Sequence, residues 1–272
     1  MEIKKYLNWF CMIVIMITFI ACEKETLIAT TEKPVVQAYL IPGKPVLVKV
    51  NMQRGLVDTA SYGLPLTGLN ISISDGANTI TLLETVNGQY SLSDKNFIST
   101  GKTYTMTFSY LNKEVSAKTT VPGKPKGLTI SETVISIPQF SPGTDTLDTF
   151  IPVNINWENH NKSDHLLILK NDEKYPSGIS NGGGFGGFGG SYRDIEVNTG
   201  ITTSYEIDRM TFRYVGYYTL YLYALNKEYV EILNASNSSS LNLTNPVTNI
   251  KNGLGIFTAM QADSLRLFVR EK

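Results

Sequence analysis

Cysteine is almost missing from this 272-residue chain, which contains Cys11 and Cys22 and no third. Residues 23–272 therefore carry no thiol. That excludes a disulfide framework, a thiolate metal site and a cysteine nucleophile from most of the molecule. Histidine is equally scarce, with His160 and His165 alone. Net charge is absent too, since 24 basic residues face 24 acidic ones. Without a basic excess there is nothing to neutralise phosphates, so nucleic acid is not an expected partner. The sequence has no Gly-x-Ser-x-Gly elbow, His-Glu-x-x-His helix, EF-hand loop or P-loop lysine. Its scattered carboxylates single out no acid–base pair. The chain reads as non-enzymatic, with no catalytic residue, resident metal or cofactor expected. Its longest apolar run, Trp9 to Ile20, falls short of the roughly 20 residues that span a membrane.

What is present begins at the N-terminus. Lys4 and Lys5, the apolar run and the small Ala21 describe a secretory signal peptide over residues 1–21. Phe19-Ile20-Ala21-Cys22 resembles the bacterial lipoprotein signal, in which the cysteine is lipidated and becomes the new N-terminus. Phe19 stands where that signal usually has leucine. One acyl chain holds a protein only weakly, and the lipoprotein pattern supplies more than one. Loss of residues 1–21 removes Lys4, Lys5 and Glu2, leaving 22 basic against 23 acidic side chains. The anchor must therefore rest on lipid. Glu23-Lys24-Glu25 resembles the export signal that brings Bacteroidota lipoproteins to the outer face of the outer membrane. Surface exposure is the expectation, with a periplasm-facing anchor as the alternative. Residues 22–33 read as the lipidated end and its tether.

Beyond the tether, strand signals dominate: β-branched and aromatic residues alternate with polar ones between Gly, Pro, Asn and Asp. Val35–Leu40, Val46–Gln53, Leu69–Ser74, Ile80–Val86, Gly88–Leu92, Lys102–Tyr110 and Val115–Val121 make about seven strands. That count and spacing over residues 34–122 indicate an antiparallel immunoglobulin-like or transthyretin-like sandwich. Pro122-Gly123-Lys124-Pro125-Lys126-Gly127 marks a boundary. Residues 128–272 then read as a second β-rich domain. Its strands are expected at Thr129–Ile137, Phe150–Trp157, Leu166–Leu169, Arg193–Asn198, Thr203–Asp208, Tyr217–Ala224 and Leu265–Val269. One short helix is expected at 227–234, with Asn226 as N-cap and Tyr229, Ile232 and Leu233 on one face. The fold class is all-β.

The glycine-rich loop at residues 181–192 packs seven glycines around Phe185, Phe188 and Tyr192. Glycine loses the most backbone entropy on ordering, so this loop is expected to move in the free protein. It reads either as a segment that orders against a partner or ligand through its aromatic rings, or as a tolerated low-complexity insertion. His160, Asp164 and His165 sit close in sequence, but no third ligand pattern is near, and a solvated loop is the expectation. Tyr217, Thr219, Tyr221 and Tyr223 share one strand face, with Tyr218, Leu220 and Leu222 on the other. Core packing is expected for most of these rings, although an exposed tyrosine face suits sugars or proteins. Asp58-Thr59-Ala60, Asp145-Thr146-Leu147 and Asp263-Ser264-Leu265 resemble the Bacteroidota O-glycosylation motif. Thr59 and Thr146 fall in expected loops and are the better candidates.

These features in order resemble a lipoprotein family of Bacteroidota, catalogued as domain of unknown function 4249. The carriers are Cys22–Glu25, Pro34–Leu40, Pro65–Asp75, Gly88-Gln89-Tyr90, Gly101–Tyr104 and Asn245–Ala259, the last being the most specific. The resemblance implies an outer-membrane surface lipoprotein associated with a TonB-dependent transporter and its substrate-binding lipoprotein, and no established catalysis. The expected role is an accessory or binding subunit for nutrient uptake. A free-standing glycan- or peptide-binding module is the alternative.

Overall fold

Alternation decides the first half. In Pro34–Leu40 the residues Val36, Ala38 and Leu40 are fully buried, and in Val46–Met52 so are Val46, Val48 and Val50, while the residues between them face outward. A period of two places one face of each strand on a core. The computed structural model describes residues 33–53, 63–138, 150–179, 194–208, 211–236 and 247–272.

Eight strands come before the Pro/Gly boundary: β1 (Pro34–Leu40), β2 (Val46–Met52), β3 (Ser72–Ser74), β4 (Thr79–Thr81), β5 (Leu83–Val86), β6 (Gln89–Leu92), β7 (Thr103–Tyr110) and β8 (Lys113–Thr120). After it come β9 (Lys126–Ile130), β10 (Val134–Ile137), β11 (Val153–Glu158), β12 (His165–Asn171), β13 (Ile195–Gly200), β14 (Ser204–Ile207) and β15 (Gly216–Ala224). Helix α1 (Lys227–Ser236), β16 (Leu254–Ala259) and β17 (Gln261–Glu271) close the chain. Among the described residues the protein is all-β apart from α1, as its sequence indicates.

A sheet in the order β16-β1-β2-β6-β5 and a sheet in the order β4-β3-β7-β8 enclose the first core. Tyr90, Tyr104, Met106 and Phe257 fill it. Two of these tyrosines also brace loops. Tyr104 donates from its hydroxyl to the Phe97 carbonyl (2.7 Å) and accepts from the Ser99 N–H (2.8 Å). Tyr90 does the same between Leu66 O (2.8 Å) and Leu69 N (3.0 Å). A buried hydroxyl needs such partners, and here they hold the loops down. At the β3–β4 turn, Asp75 accepts from Ala77 N (3.1 Å), Asn78 N (2.7 Å) and Lys102 Nζ (2.8 Å). The Lys102 hydrogen bond, then the backbone N–H groups, hold its carboxyl down at about 2.

The second core lies between the sheets β10-β17-β15-β12-β13 and β14-β11-β9. Ile155, Trp157, Leu167, Tyr218, Leu220 and Leu267 pack there. The expected single strand Thr129–Ile137 is two strands, because the chain passes at Ser131-Glu132-Thr133 from one sheet of this sandwich to the other.

Two features depart from a purely antiparallel, sequential reading. β1 pairs parallel with β16, from Val35↔Leu254 to Leu40↔Ala259, and β10 pairs parallel with β17. Residues 254–259, expected within the second domain and not as a strand, instead complete the first sandwich. Ile250, Phe257 and Ala259 belong to its core. Gly255 makes the pairing feasible. Its φ is +94°, and a Cβ there would lie 2.0 Å from the Val36 carbonyl oxygen.

The outer edge of β16 is finished by side chains. Asn249 Nδ2 donates to Phe257 O (2.7 Å), and Asn249 Oδ1 accepts from Phe257 N (3.0 Å). Thr248 Oγ1 donates to Gly255 O (2.8 Å). These side chains stand in for a neighbouring strand and occupy an edge that would otherwise pair with other chains. Asn249→Ala removes the side-chain partners of both Phe257 N and Phe257 O, and each buried backbone group left orphaned costs about 1–3 kcal/mol. Urea denaturation is expected to show that loss. An unchanged midpoint would mean that water replaces the carboxamide without cost.

Candidate functional site

The outward face of the first five-stranded sheet carries an open groove of about 840 Å³. Its floor follows from the same alternation that builds the core. With Val36 and Ala38 turned inward, Val35, Gln37 and Tyr39 point out, and Lys49 and Asn51 do the same on β2. Register sets these residues in rows across the strands. One row runs Leu254, Val35, Asn51, and the next runs Ile256, Gln37, Lys49, Gln89. The first row is largely apolar, and the second is polar over three adjacent strands.

The walls come from segments remote in sequence. On one side Met52, Gly63 and Pro65 rise beside β2. Asn51 Nδ2 donates to Gly63 O (2.8 Å), Met52 N to Leu64 O (2.7 Å) and Leu66 N to Val50 O (2.9 Å). Gly88 permits this close fit, since a Cβ at its φ of +71° would sit 2.7 Å from Pro65 Cβ. On the other side Ile232 of α1 and Val247 face the floor. At the helix end of the sheet, Tyr39 and Tyr229 meet edge to face at 6.0 Å. Burial raises the Tyr229 hydroxyl pKa, and Tyr39 and Glu196 add to the rise, so it stays protonated and available as a donor.

Helix α1 is fixed to the first sandwich by a compact polar node. Asn226 accepts the first helical bonds through its carbonyl, from Tyr229 N (3.0 Å) and Val230 N (3.2 Å). Its side-chain nitrogen donates to Thr119 Oγ1 (3.0 Å) and Thr120 O (2.7 Å). Glu228 Oε1 accepts from Thr119 Oγ1 (2.5 Å) and Thr258 Oγ1 (3.2 Å). Thr119 and Thr258 are buried, so these bonds replace water they cannot reach.

The histidines do not form a site together. His160 is exposed in the loop, 3.5 Å from Glu158. His165, expected in that solvated loop, is instead the first residue of β12 and 3% exposed. It packs against Trp157 with ring centroids 5.8 Å apart and is bonded to the Ser163 backbone. Among the described residues, neither His165 Nδ1 nor Trp157 Nε1 has a hydrogen-bond partner. No group of three or more His, Cys, Asp or Glu among them is placed to hold a metal.

Burial pushes the His165 imidazole below its ordinary value of 6.5. The unfolded chain therefore binds that proton more readily than the fold does. The stability contributed by the neutral ring is complete above about pH 6.5 and is lost as pH falls below it. His165→Phe keeps a ring against Trp157 and is expected to flatten stability against pH between about 7 and 5. An unchanged slope in urea titrations would locate the acid sensitivity elsewhere.

The tyrosines of β15 divide differently from the expectation of core packing. Tyr218 alone enters the core, while Tyr217, Tyr221 and Tyr223 stand on the outward face. Tyr217 is 52% exposed, lies 4.8 Å from the Phe268 ring and has the Arg266 guanidinium 5.6 Å away. The expected lipidation and export residues Cys22, Glu23, Lys24 and Glu25 lie outside the described residues. So do the O-glycosylation candidates Thr59 and Thr146 and the loop contacts Phe185, Phe188 and Tyr192. Ser264, in the third such motif, is part of β17. The groove itself was not among the expected sites. Its floor is signalled by the outward residues of β1 and β2, but its walls need pairings that span the chain.

Two β-sandwiches in one chain, with an open, mostly apolar groove on one outer sheet face, define an all-β protein with a preformed surface cleft. The chain belongs to the family described as domain of unknown function (DUF4249), whose model matches residues 23–266. No curated protein matches it in sequence. Among solved structures it is similar to Escherichia coli alpha-2-macroglobulin activated by porcine elastase, at 8% identity and a TM-score of 0.21 over 88% of this chain. The chain spans 23% of the length of that structure. It is also similar to a chimeric titin Z1Z2 functionalized with a KLER exogenous peptide from decorin, at 9% identity and a TM-score of 0.23. That likeness covers 89% of this chain and 99% of the other.

Proposed function

We propose that this protein is a non-enzymatic lipoprotein of the outer-membrane surface that serves as an accessory or binding subunit of a TonB-dependent nutrient-uptake system. The observation that carries the binding role is the groove of about 840 Å³ on the first sandwich. Ligand sites are concave, mostly apolar and furnished with a few fixed polar groups, and this cleft has all three properties. The anchor is supported by the signal pattern that ends at Cys22 and by the charged Glu23-Lys24-Glu25. The transporter as partner follows from the family resemblance.

Cys22→Ala is expected to shift the protein from the membrane to the soluble fraction and to abolish incorporation of labelled palmitate. Membrane retention with label intact would sink the lipid anchor. For the partner, a gentle detergent pull-down of the tagged protein followed by mass spectrometry is expected to bring down a stoichiometric TonB-dependent barrel. Recovery of the protein alone counts against a subunit. It would favour the second reading, a free-standing glycan- or peptide-binding module. The outward Tyr217, Phe268 and Arg266 on the second sandwich support that alternative, and glycan and peptide arrays test it.

A further inference from the structure

We infer that the groove takes an amphipathic organic monoanion: a carboxylate carried on an apolar body. The inference rests on the groove being the ligand site of the binding subunit proposed above, and it names the ligand's chemistry.

Charge on the lining favours an anionic head group. Of the described residues that line the groove, Lys49 is the one cation, and none is an Asp or Glu. Among the described residues no carboxylate lies within ion-pair distance of Lys49. Glu84, on β5 two strands away from β2, is engaged elsewhere: its two oxygens accept from the backbone N–H groups of Gly68 and Gly88, each at 2.9 Å. Among the described residues, Lys49 is therefore a positive charge without an ion-pair partner on a lining that is otherwise neutral.

Carboxamides stand on both sides of Lys49. Strand register puts Gln37 directly across from Lys49 on one side and Gln89 directly across on the other. An ammonium between two carboxamides presents donors from three adjacent strands at one level of the sheet. A carboxylate accepts from all three, whereas a neutral ester or alcohol uses fewer. Gln37 Nε2 donates one N–H to the Tyr39 hydroxyl (3.3 Å), which leaves its second N–H for a ligand.

Apolar side chains supply much of the rest of the cleft. One row away lie Val35 and Leu254, and Met52, Pro65, Ile232 and Val247 complete an apolar half. The apolar body of a ligand resting there displaces water from around the polar row. Lowering the local dielectric strengthens attraction between Lys49 and an anion, and it makes a neutral head a poorer match. A volume of about 840 Å³ accommodates a chain or ring system of ordinary ligand size. The arrangement selects a ligand with a single acidic end and an apolar remainder, over a sugar or a cation.

The test uses the full-length chain carrying Cys22→Ala, which keeps every residue of both sandwiches and avoids detergent. The probes are cis-parinaric acid, a fluorescent polyene carboxylate, and its methyl ester. Saturable binding of the acid is expected, with the ester bound at least about tenfold more weakly. Removing one charge-assisted hydrogen bond costs about that factor or more. Lys49→Gln is expected to weaken the acid roughly tenfold and to leave the ester unchanged. Ile232→Gln should weaken both probes, with urea denaturation of each variant confirming an intact fold. Equal affinity for acid and ester, or an acid affinity indifferent to Lys49→Gln, overturns anion recognition. Binding of neither probe overturns the ligand class. The pull-down of a transporter barrel remains a separate readout of the function itself, so the two can fail independently.

Discussion

Gly255→Ala is expected to cost roughly 2–5 kcal/mol, a large fraction of the roughly 5–15 kcal/mol that ordinarily holds a domain folded. Two effects combine. The residue has φ +94°, a backbone conformation that side chains rarely adopt. In addition, the new methyl would sit 2.0 Å from the oxygen of Val36 and 3.0 Å from its carbonyl carbon and nitrogen. Those are backbone atoms of β1, a strand paired on both edges, so they cannot swing aside as a side chain would. The parallel register from Val35↔Leu254 to Leu40↔Ala259 must open to admit it. Gly43→Ala is the control, because Gly43 also has positive φ (+78°) but nothing within 4 Å of a Cβ. It should cost only about 1–2 kcal/mol, the strain alone. Urea denaturation of both variants decides. Equal losses would mean that β16 shifts freely and that its pairing contributes little.

Phe257→Ala is the second large expectation. The ring is fully buried, and truncation of a buried phenylalanine costs about 3–5 kcal/mol through lost transfer energy and the cavity left behind. The position makes the result diagnostic. Phe257 lies far beyond the Pro/Gly boundary, yet it packs in the first core with Val36, Val48, Tyr104 and Met106. Hydrogen exchange of Phe257→Ala is therefore expected to accelerate in β1, β2 and β7 more than in β12 and β15. If exchange rises instead in β12 and β15, the strand contributes chiefly to the second sandwich. A chain cut after Pro125 should likewise fail to fold alone, since it lacks Ile250, Phe257 and Ala259 from its core.

The legible parts of this fold are the local ones. Strand signals located Val35–Leu40 and Val46–Met52, and alternation sorted Tyr217–Tyr223 onto two faces, because a period of two needs only neighbouring positions. The helix at Lys227–Ser236 was legible from Asn226 and the spacing of Tyr229, Ile232 and Leu233. Leu254–Ala259 was not. It mixes Gly with apolar residues, and its strand state depends on a backbone approach to Val36 that no local pattern encodes. His165 was placed in solvent because Asn159–Asp164 around it is polar. Burial came from Trp157 on the neighbouring strand, a contact the linear sequence does not mark. The groove shared that difficulty: Gln37, Lys49 and Gln89 are unremarkable singly, and become a row only through register. The tyrosine rings of β15 were assigned to the right faces, but their number suggested more core aromatic packing than Tyr218 alone supplies.

The parallel pairing of β1 with β16 has a consequence for the order in which the molecule is made. Strand β1 receives β2 at once but waits for its second neighbour until Leu254–Ala259 has followed, more than 200 residues later. Until then the first sandwich is short of an edge strand and part of its interior, whatever its other strands have done. Contacts between chain ends are slow to form, since a long loop must close before they reward it. Maturation of the groove is therefore not vectorial. A chain threaded N-terminus first leaves the first sandwich incomplete, and so easily drawn out, until Leu254–Ala259 is through.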